Sequence, residues 1–257
     1  MAARVTRWIF FFALLIIARF SIVPTQAQST YWITTDGVSW ADPRIQITIP
    51  LSPTVLQADL PEAMAIWNHA TTWFESTFYP TDKKFYSFVS SPNSTTITIQ
   101  AVDLQTLQSH CSTSGGISVC TSYTANSANG YVLNAHVEIL ANDLTTTNPT
   151  HLFLVVAALG TLVGLVEYPA PCPFQDLMCA SNPTVYPSTL DLYAARLLAQ
   201  GNRATTTTLP ANIPYQQAPT LPVPEFQGAS ALLALIGVSS TLILTRLAKT
   251  KFPKKHR

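Results

Sequence analysis

Histidine, cysteine and acidic side chains are the residues that could bind a metal or activate water, and few of them are suitably spaced. The histidines within residues 28–200 are His69, His110, His136 and His151, and none lies four residues from another. Two histidines at i and i+4 share a helix face and form half of the usual helical zinc site. His136 and Glu138 would share one face of a strand. We interpret that face as solvated, and we predict no metal ligands.

The four cysteines indicate disulfides rather than catalysis. Cys111, Cys120, Cys172 and Cys179 lack C-x-x-C spacing and are even in number, which is typical of an oxidising compartment. Three connectivities are open. We favour the local pairs Cys111–Cys120 and Cys172–Cys179, because each closes a short loop. Asn93 begins an N-S-T glycosylation sequon, as in exported chains.

The elements that would position a site read as a mixed α+β domain. Alternation over residues 45–49, β-rich runs over 85–89, 95–102 and 131–140, and a helical aromatic stripe over 52–78 predict strands and a long first helix. Residues 152–166 are apolar on every side and too short to span a bilayer. We expect this second helix to be buried at the domain centre.

The central helix carries a family resemblance. Residues 157–167 read A-A-L-G-T-L-V-G-L-V-E, which has the frame of the metzincin signature H-E-x-x-H-x-x-G-x-x-H. Downstream, D-L-M at 176–178 resembles the Met-turn, and P-S-T-L-D-L-Y at 187–193 resembles the closing helix of matrixin-like secreted peptidases. Upstream, A-I-W-N at 65–68 lies where that family has its first helix. The resemblance implies a metzincin-like fold with a mixed twisted sheet. The alternative is a buried helix whose glycines match by chance.

The sequence departs from that motif at the residues that do the chemistry. In the working motif, two histidines and a third ligand hold zinc, and a glutamate serves as general base. Here the histidine positions hold Ala157 and Thr161, the base position holds Ala158, and the third ligand position holds Glu167. Gly164 and Met178 are kept. The resemblance therefore implies a pseudopeptidase with no catalytic residue and no cofactor. Zinc enters only under an alternative ligand set.

The two ends of the chain predict export and anchorage. Residues 1–27 read as a signal peptide, with Arg4 and Arg7 before an apolar run. Residues 226–247 read as a membrane helix and 248–257 as a basic cytoplasmic tail. Residues 28–200 would form the ectodomain, and the Thr- and Pro-rich residues 201–225 a spacer that cannot fold. We thus expect a single-pass cell-membrane protein with its ectodomain outside.

Pro224, Glu225 and Phe226 precede the predicted span. With the span and the basic tail, they resemble the PEF-type sorting signal of archaeal surface proteins. That resemblance implies cleavage near the motif by an archaeosortase-type enzyme and transfer to a lipid anchor. A plain stop-transfer anchor is the alternative.

Charge narrows the choice of partner. The whole chain has a formal net charge of +1, but between residues 28 and 226 five basic residues stand against all 13 acidic ones, a net charge of −8. Nucleic acid is therefore not an expected partner, because affinity for phosphate needs clustered Lys and Arg. Two function classes remain. One is an inactive, membrane-anchored surface module that binds a peptide, a glycan or an envelope protein; the other is a zinc metallopeptidase with a non-standard ligand set.

Overall fold

The computed structural model describes residues 31–82, 84–92, 94, 96–111, 118–145, 147, 150–166, 176–179 and 184–221. Residues up to Pro219 form one compact unit, and the second unit, which begins at Thr220, lies almost wholly outside the described residues. The elements follow in chain order: β1 (Trp32–Thr34), β2 (Ser39–Trp40), β3 (Arg44–Ile47), α1 (Thr54–Phe78), β4 (Ser87–Ser90), β5 (Ile97–Val102), α2 (Leu104–His110), β6 (Val119–Ala125), β7 (Tyr131–Leu140), α3 (His151–Leu162), α4 (Thr189–Ala199) and β8 (Thr206–Thr208).

Strand β7 is the centre of the largest sheet. Strand β5 pairs with it in parallel from Ile97↔Ala135 to Val102↔Leu140, and β2 adds a short parallel pairing near the start of β7. Strand β6 runs antiparallel to β7, with a register shift between Thr124 and Ala125. Strands β3 and β4 form a separate parallel pair. The sheet is therefore mixed, as the sequence predicted.

Helices α1 and α3 pack against each other; α1 also packs against β4, and α3 against β6 and β7. The long first helix forms because its apolar residues recur at helical spacing and bury one stripe. Helix α3 is buried along most of its length, which confirms the prediction of a central buried helix. The side chains that make this core include Ile66, Trp67, Phe74, Ile97, Ile99, Val137, Ile139, Val155 and Leu159.

The predicted fold class needs correction, because it combined a metzincin-like domain with a membrane-spanning helix. Within the described part of the chain, no helix combines the length and the apolar character needed to cross a membrane. Helix α1 has 25 residues but carries charged side chains, and apolar α3 has only 12 residues, about 18 Å of helix against a hydrocarbon core of about 30 Å. Residues 226–247 lie outside the described residues. The structure supports an α+β fold with mixed strand pairing.

The C-terminal segment, defined here as residues 204–219, differs from the sequence expectation of an unfolded spacer. It contributes β8, which pairs antiparallel with β1. Four of its side chains are buried, namely Thr207, Leu209, Ile213 and Ala218. The segment is low in apolar residues, yet those it has fill gaps in the domain surface, and its backbone is bonded to β1. The folded domain therefore extends beyond residue 200.

Candidate functional site

Helix α3 presents the degenerate motif positions. Ala157 and Thr161 lie four residues apart and so share one face of the helix. Ala157 is 9 % exposed and Ala158 is 1 % exposed, so both are buried. Glu167, at the position of the third ligand, lies outside the described residues. The described part of the site is a buried apolar helix face with one hydroxyl.

That hydroxyl is engaged with strand β6. Thr161 Oγ1 donates to the Ala158 carbonyl at 2.9 Å and is 2.6 Å from Thr121 Oγ1. The Thr121 hydroxyl must be the donor of the second bond, because the single Thr161 proton is already used. The Tyr123 hydroxyl donates to the Thr161 carbonyl. Strand β6 is thus attached to the central helix at the position that holds the second histidine in the motif it resembles.

The donor role of Tyr123 is fixed by its surroundings. Burial raises the pKa of the Tyr123 hydroxyl well above its usual range, and the charges of Asp36 and Tyr86 act in the same direction. The backbone of Gly164 partly opposes this shift. The hydroxyl therefore keeps its proton at physiological pH and remains a hydrogen-bond donor to the helix.

Met178 lies against the same helix from another side. It is 2 % exposed, and a Cβ built on Gly160 would lie 2.7 Å from its sulfur and 3.3 Å from the Trp67 ring. Trp67 Nε1 in turn donates to the Val156 carbonyl at 2.8 Å. Only glycine at position 160 allows the methionine and the tryptophan to approach the helix this closely.

Gly164 ends the central helix. It has a φ of +91°, in the left-handed region that glycine adopts without strain. Leu165 N donates to the Gly160 carbonyl at 3.0 Å and Gly164 N to the Thr161 carbonyl at 2.9 Å, a Schellman ending. Leu165 then bridges to Thr35, next to strand β1. The turn directs the chain along the N-terminal strand.

A second polar cluster was misinterpreted from sequence. We expected the face of His136 and Glu138 to be solvated, but Glu138 is only 2 % exposed. His110 Nδ1 lies 2.8 Å from Glu138 Oε1, His136 Nε2 lies 3.1 Å from it, and Gln100 Nε2 donates to it at 3.3 Å. His110 is supplied by α2 and Gln100 by β5. These residues are brought together by the strand register and by the position of α2. No local sequence signal could have predicted the cluster.

The histidines do not converge on one point. His151, at the start of α3, is paired with Asp59 of α1, far in sequence from the pair of histidines at Glu138. His69 is half-buried on α1. Among the residues that the structure describes, no three His, Cys, Asp or Glu side chains are grouped so that they could hold a metal ion.

The disulfide Cys111–Cys120 is present, with a Cα–Cα distance of 6.3 Å, and confirms one predicted pair. Cys179 is also disulfide-bonded. Its predicted partner Cys172 lies outside the described residues, as do Asn93 and the Pro224–Glu225–Phe226 motif. The second pair, the glycosylation site and the sorting signal stay predictions.

Comparison with protein-family models and with curated proteins finds no match to the chain.

Proposed function

We propose that the protein is a non-catalytic binding module with a peptidase-like ectodomain, and that it takes an extended peptide segment along the outer edge of strand β6. Its location at a cell surface stays a prediction. The observation that carries the proposal is the outer edge of this seven-residue strand, which pairs with no strand in the described part of the chain and lies directly beside the degenerate motif on α3.

The register of β6 determines which backbone groups face outward. Leu140 N donates to the Ser118 carbonyl at 2.8 Å, so this opposed pair is of the hydrogen-bonded type. Paired residues alternate along an antiparallel ladder, and those of the non-bonded pairs direct their N–H and C=O groups away from the partner strand. By this alternation Val119, Thr121 and Tyr123 present their backbone groups at the outer edge. No described strand pairs with that edge.

Strand β4, in the separate β3–β4 pair, is not available in the same way. Asn68 of α1 donates its side-chain amide to the Phe88 carbonyl at 2.8 Å and accepts from Phe88 N at 2.8 Å. One side chain thus satisfies both backbone groups of the central residue on the outer edge of β4. A row of unpaired N–H and C=O groups is what an extended peptide recognises by strand addition. This contrast favours β6 as the binding edge.

The motif positions favour binding over cleavage. Water activation needs either a metal or a general base near the substrate. Ala157 and Ala158 supply neither, and the Thr161 hydroxyl is used to hold β6. A peptide on β6 would lie close to this face, where the described motif residues offer no group that could attack it. The negative ectodomain makes neutral or basic peptides the preferred ligands.

The test compares Val119→Pro with Val119→Ala in the purified protein. Proline removes the outward N–H and is tolerated at an edge position, whereas alanine keeps the N–H and controls for the lost side chain. An array of random unstructured decapeptides is the probe. We expect the alanine variant to bind as the parent does and the proline variant to bind up to about tenfold more weakly, the effect of one lost hydrogen bond.

Cleavage and metal content are measured in the same samples. Equal binding by both variants would exclude the β6 edge as the site. Stoichiometric zinc together with cleavage of the peptides would overturn the proposal of a binding module. It would support the alternative function, a metallopeptidase with a non-standard ligand set.

A further inference from the structure

Two buried carboxyl groups meet at the start of helix α4. Asp176 is 6 % exposed and Asp191 is fully buried. Asp176 Oδ2 accepts from Ser188 Oγ at 2.9 Å and from the Tyr215 hydroxyl, and its Oδ1 accepts from Met178 N at 2.9 Å. Three donors stabilise a negative charge on Asp176.

Asp191 is in the opposite situation. Its Oδ2 accepts from Ser188 N at 2.8 Å in the capping box of α4, but no described donor reaches its buried Oδ1. The two carboxyl groups meet at Ser188, which donates its Oγ to Asp176 Oδ2 and its backbone N to Asp191 Oδ2. Two buried carboxyl groups this close, with no described cation between them, favour the protonation of one. Asp191, with one donor against three, is the member that carries the proton.

The charge balance leads to the same assignment. The titratable groups that face Asp191 among the described residues are Asp176, from the turn at Met178, and Tyr215, from the C-terminal segment. Neither can supply a positive charge. Burial, followed by the charge of Asp176, raises the pKa of Asp191 well above its usual value.

We propose that Asp176 and Asp191 share one buried proton, and that this proton latches the C-terminal segment to the turn at Met178. Tyr215 is the side chain that joins the segment to the carboxyl pair. Around it, Thr189 N donates to the Gln216 carbonyl at 2.8 Å and Ala218 N to the Pro187 carbonyl at 2.8 Å. The segment therefore covers the start of α4 and closes over the pair.

The latch is tightest in acid. When the segment opens, Asp191 meets water and regains an ordinary pKa of about 3.9. Below that value the proton is held in both states, so opening is independent of pH. Between that value and the raised pKa of the closed state, opening releases the proton and becomes about tenfold more favourable for each pH unit. Above the raised pKa the opening equilibrium is again constant.

Hydrogen exchange of the C-terminal segment in the full chain tests the latch. After correction for intrinsic exchange rates, we expect its protection to fall by about tenfold per pH unit from about pH 5 up to the raised pKa of Asp191, and to level off above it. Asp191→Asn should abolish this slope, because an amide donates to Asp176 at every pH. Tyr215→Phe should lower protection at every pH and keep the slope, since it removes the bond but not the proton. Glu62→Gln, which changes an exposed acidic side chain on α1, should behave as the parent.

Infrared spectroscopy tests the proton itself. At about pH 5, where an ordinary Asp is ionised, the parent should show the carbonyl band of a protonated buried carboxyl. Asp191→Asn should lose this band, while the control variant Glu62→Gln retains it. Segment protection that does not vary with pH in the parent, or the absence of the carboxyl band, would overturn the proposal. Circular dichroism establishes whether each variant is folded. If a variant does not fold, the hydrogen exchange and the infrared band of the parent protein still decide the outcome.

Discussion

Removing the Thr161 hydroxyl tests whether strand β6 and helix α3 are held together at the degenerate motif. Thr161→Val is nearly isosteric and deletes the hydrogen bonds to Thr121 Oγ1 at 2.6 Å and to the Ala158 carbonyl at 2.9 Å. The half-buried Thr121 hydroxyl then loses its partner on the helix, so we expect the free energy of unfolding to fall by about 1–2 kcal/mol. Thr121→Val should cost only about 0.5–1 kcal/mol, because Thr161 keeps its bond to Ala158.

The double variant isolates the shared bond. If the two hydroxyls interact directly, the double-mutant cycle should give a coupling of about 0.5–1.5 kcal/mol, measured by urea unfolding of the purified protein followed by tryptophan fluorescence. Thr72→Val is the matched control. Thr72 makes the same kind of bond to a helix carbonyl, that of Asn68 at 2.8 Å, but is exposed, so its cycle with Thr121→Val should give no coupling. A coupling between positions 121 and 161 as small as that of the control would refute the attachment.

Three further changes probe the scaffold by urea unfolding. Asn68→Ala should destabilise the protein by about 2–3 kcal/mol, because two backbone groups of β4 lose their partner. Asn68→Asp keeps one acceptor, so its stability should fall between that of Asn68→Ala and that of the parent. Equal stability of all three proteins would show that Asn68 does not hold β4. Gly160→Ala should cost about 1–3 kcal/mol through contact with the Met178 sulfur, and Met178→Ala should relieve part of that cost; additive effects would argue against the contact. Opening the Cys111–Cys120 disulfide should cost about 2–3 kcal/mol, and a negligible loss would show that its loop does not constrain the unfolded chain.

The elements that the sequence predicted are those with strong periodicity. Helix α1 buries one stripe over 25 residues, α3 is apolar throughout, and β7 is a ten-residue β-rich run. In each of these elements the apolar residues that form the sequence pattern are also the ones buried in the core. The local sequence was therefore sufficient to predict the element. The bounds of β7 agree with the predicted ones, whereas those of α1 and α3 differ by a few residues, because caps and turns rather than hydrophobicity end these helices.

The missed elements have weak patterns of their own. Strand β6 lies at an edge and is mostly Thr, Ser and Tyr, so its face toward α3 is made of hydroxyls rather than of aliphatic side chains. Strand β8 is three threonines, and its partner β1 is more than 170 residues away. Helix α2 buries only Leu107, although Asp103, whose side chain accepts from Thr106 N at 2.8 Å, was a visible N-cap signal. Pairing and packing across the chain decided these segments.

The candidate site was predictable only in part for the same reason. Motif spacing located Ala157, Thr161 and Gly164 on and after one helix. The partners that decide what the site does, Thr121 and Tyr123, come from the missed strand. The buried Asp176–Asp191 pair was likewise invisible, since it depends on the turn at Met178 meeting the start of α4.

Ala158→Glu offers the strictest test of whether a catalytic cleft is still present. A general base at this position would need access to water, but Ala158 is 1 % exposed within an apolar helix. The introduced carboxyl must therefore be buried without a charged partner, and the added volume strains the packing. We expect a loss of about 4 kcal/mol or more at pH 7, the sum of the two effects.

Ala158→Gln separates these two effects, because it adds the same volume without a charge. Burial would raise the pKa of the introduced carboxyl above the ordinary value for Glu of about 4.3, so its protonated form is favoured in the folded state. Relative to the parent, the stability of Ala158→Glu should then be greatest below that value and decline as the pH rises, while Ala158→Gln should follow the pH dependence of the parent. Thr72→Glu on the exposed face of α1 should cost less than about 0.5 kcal/mol. If Ala158→Glu were as stable as the parent at pH 8, the carboxyl would have reached solvent. An open polar cleft would then exist beside the central helix, and the argument that packing has filled it would fail.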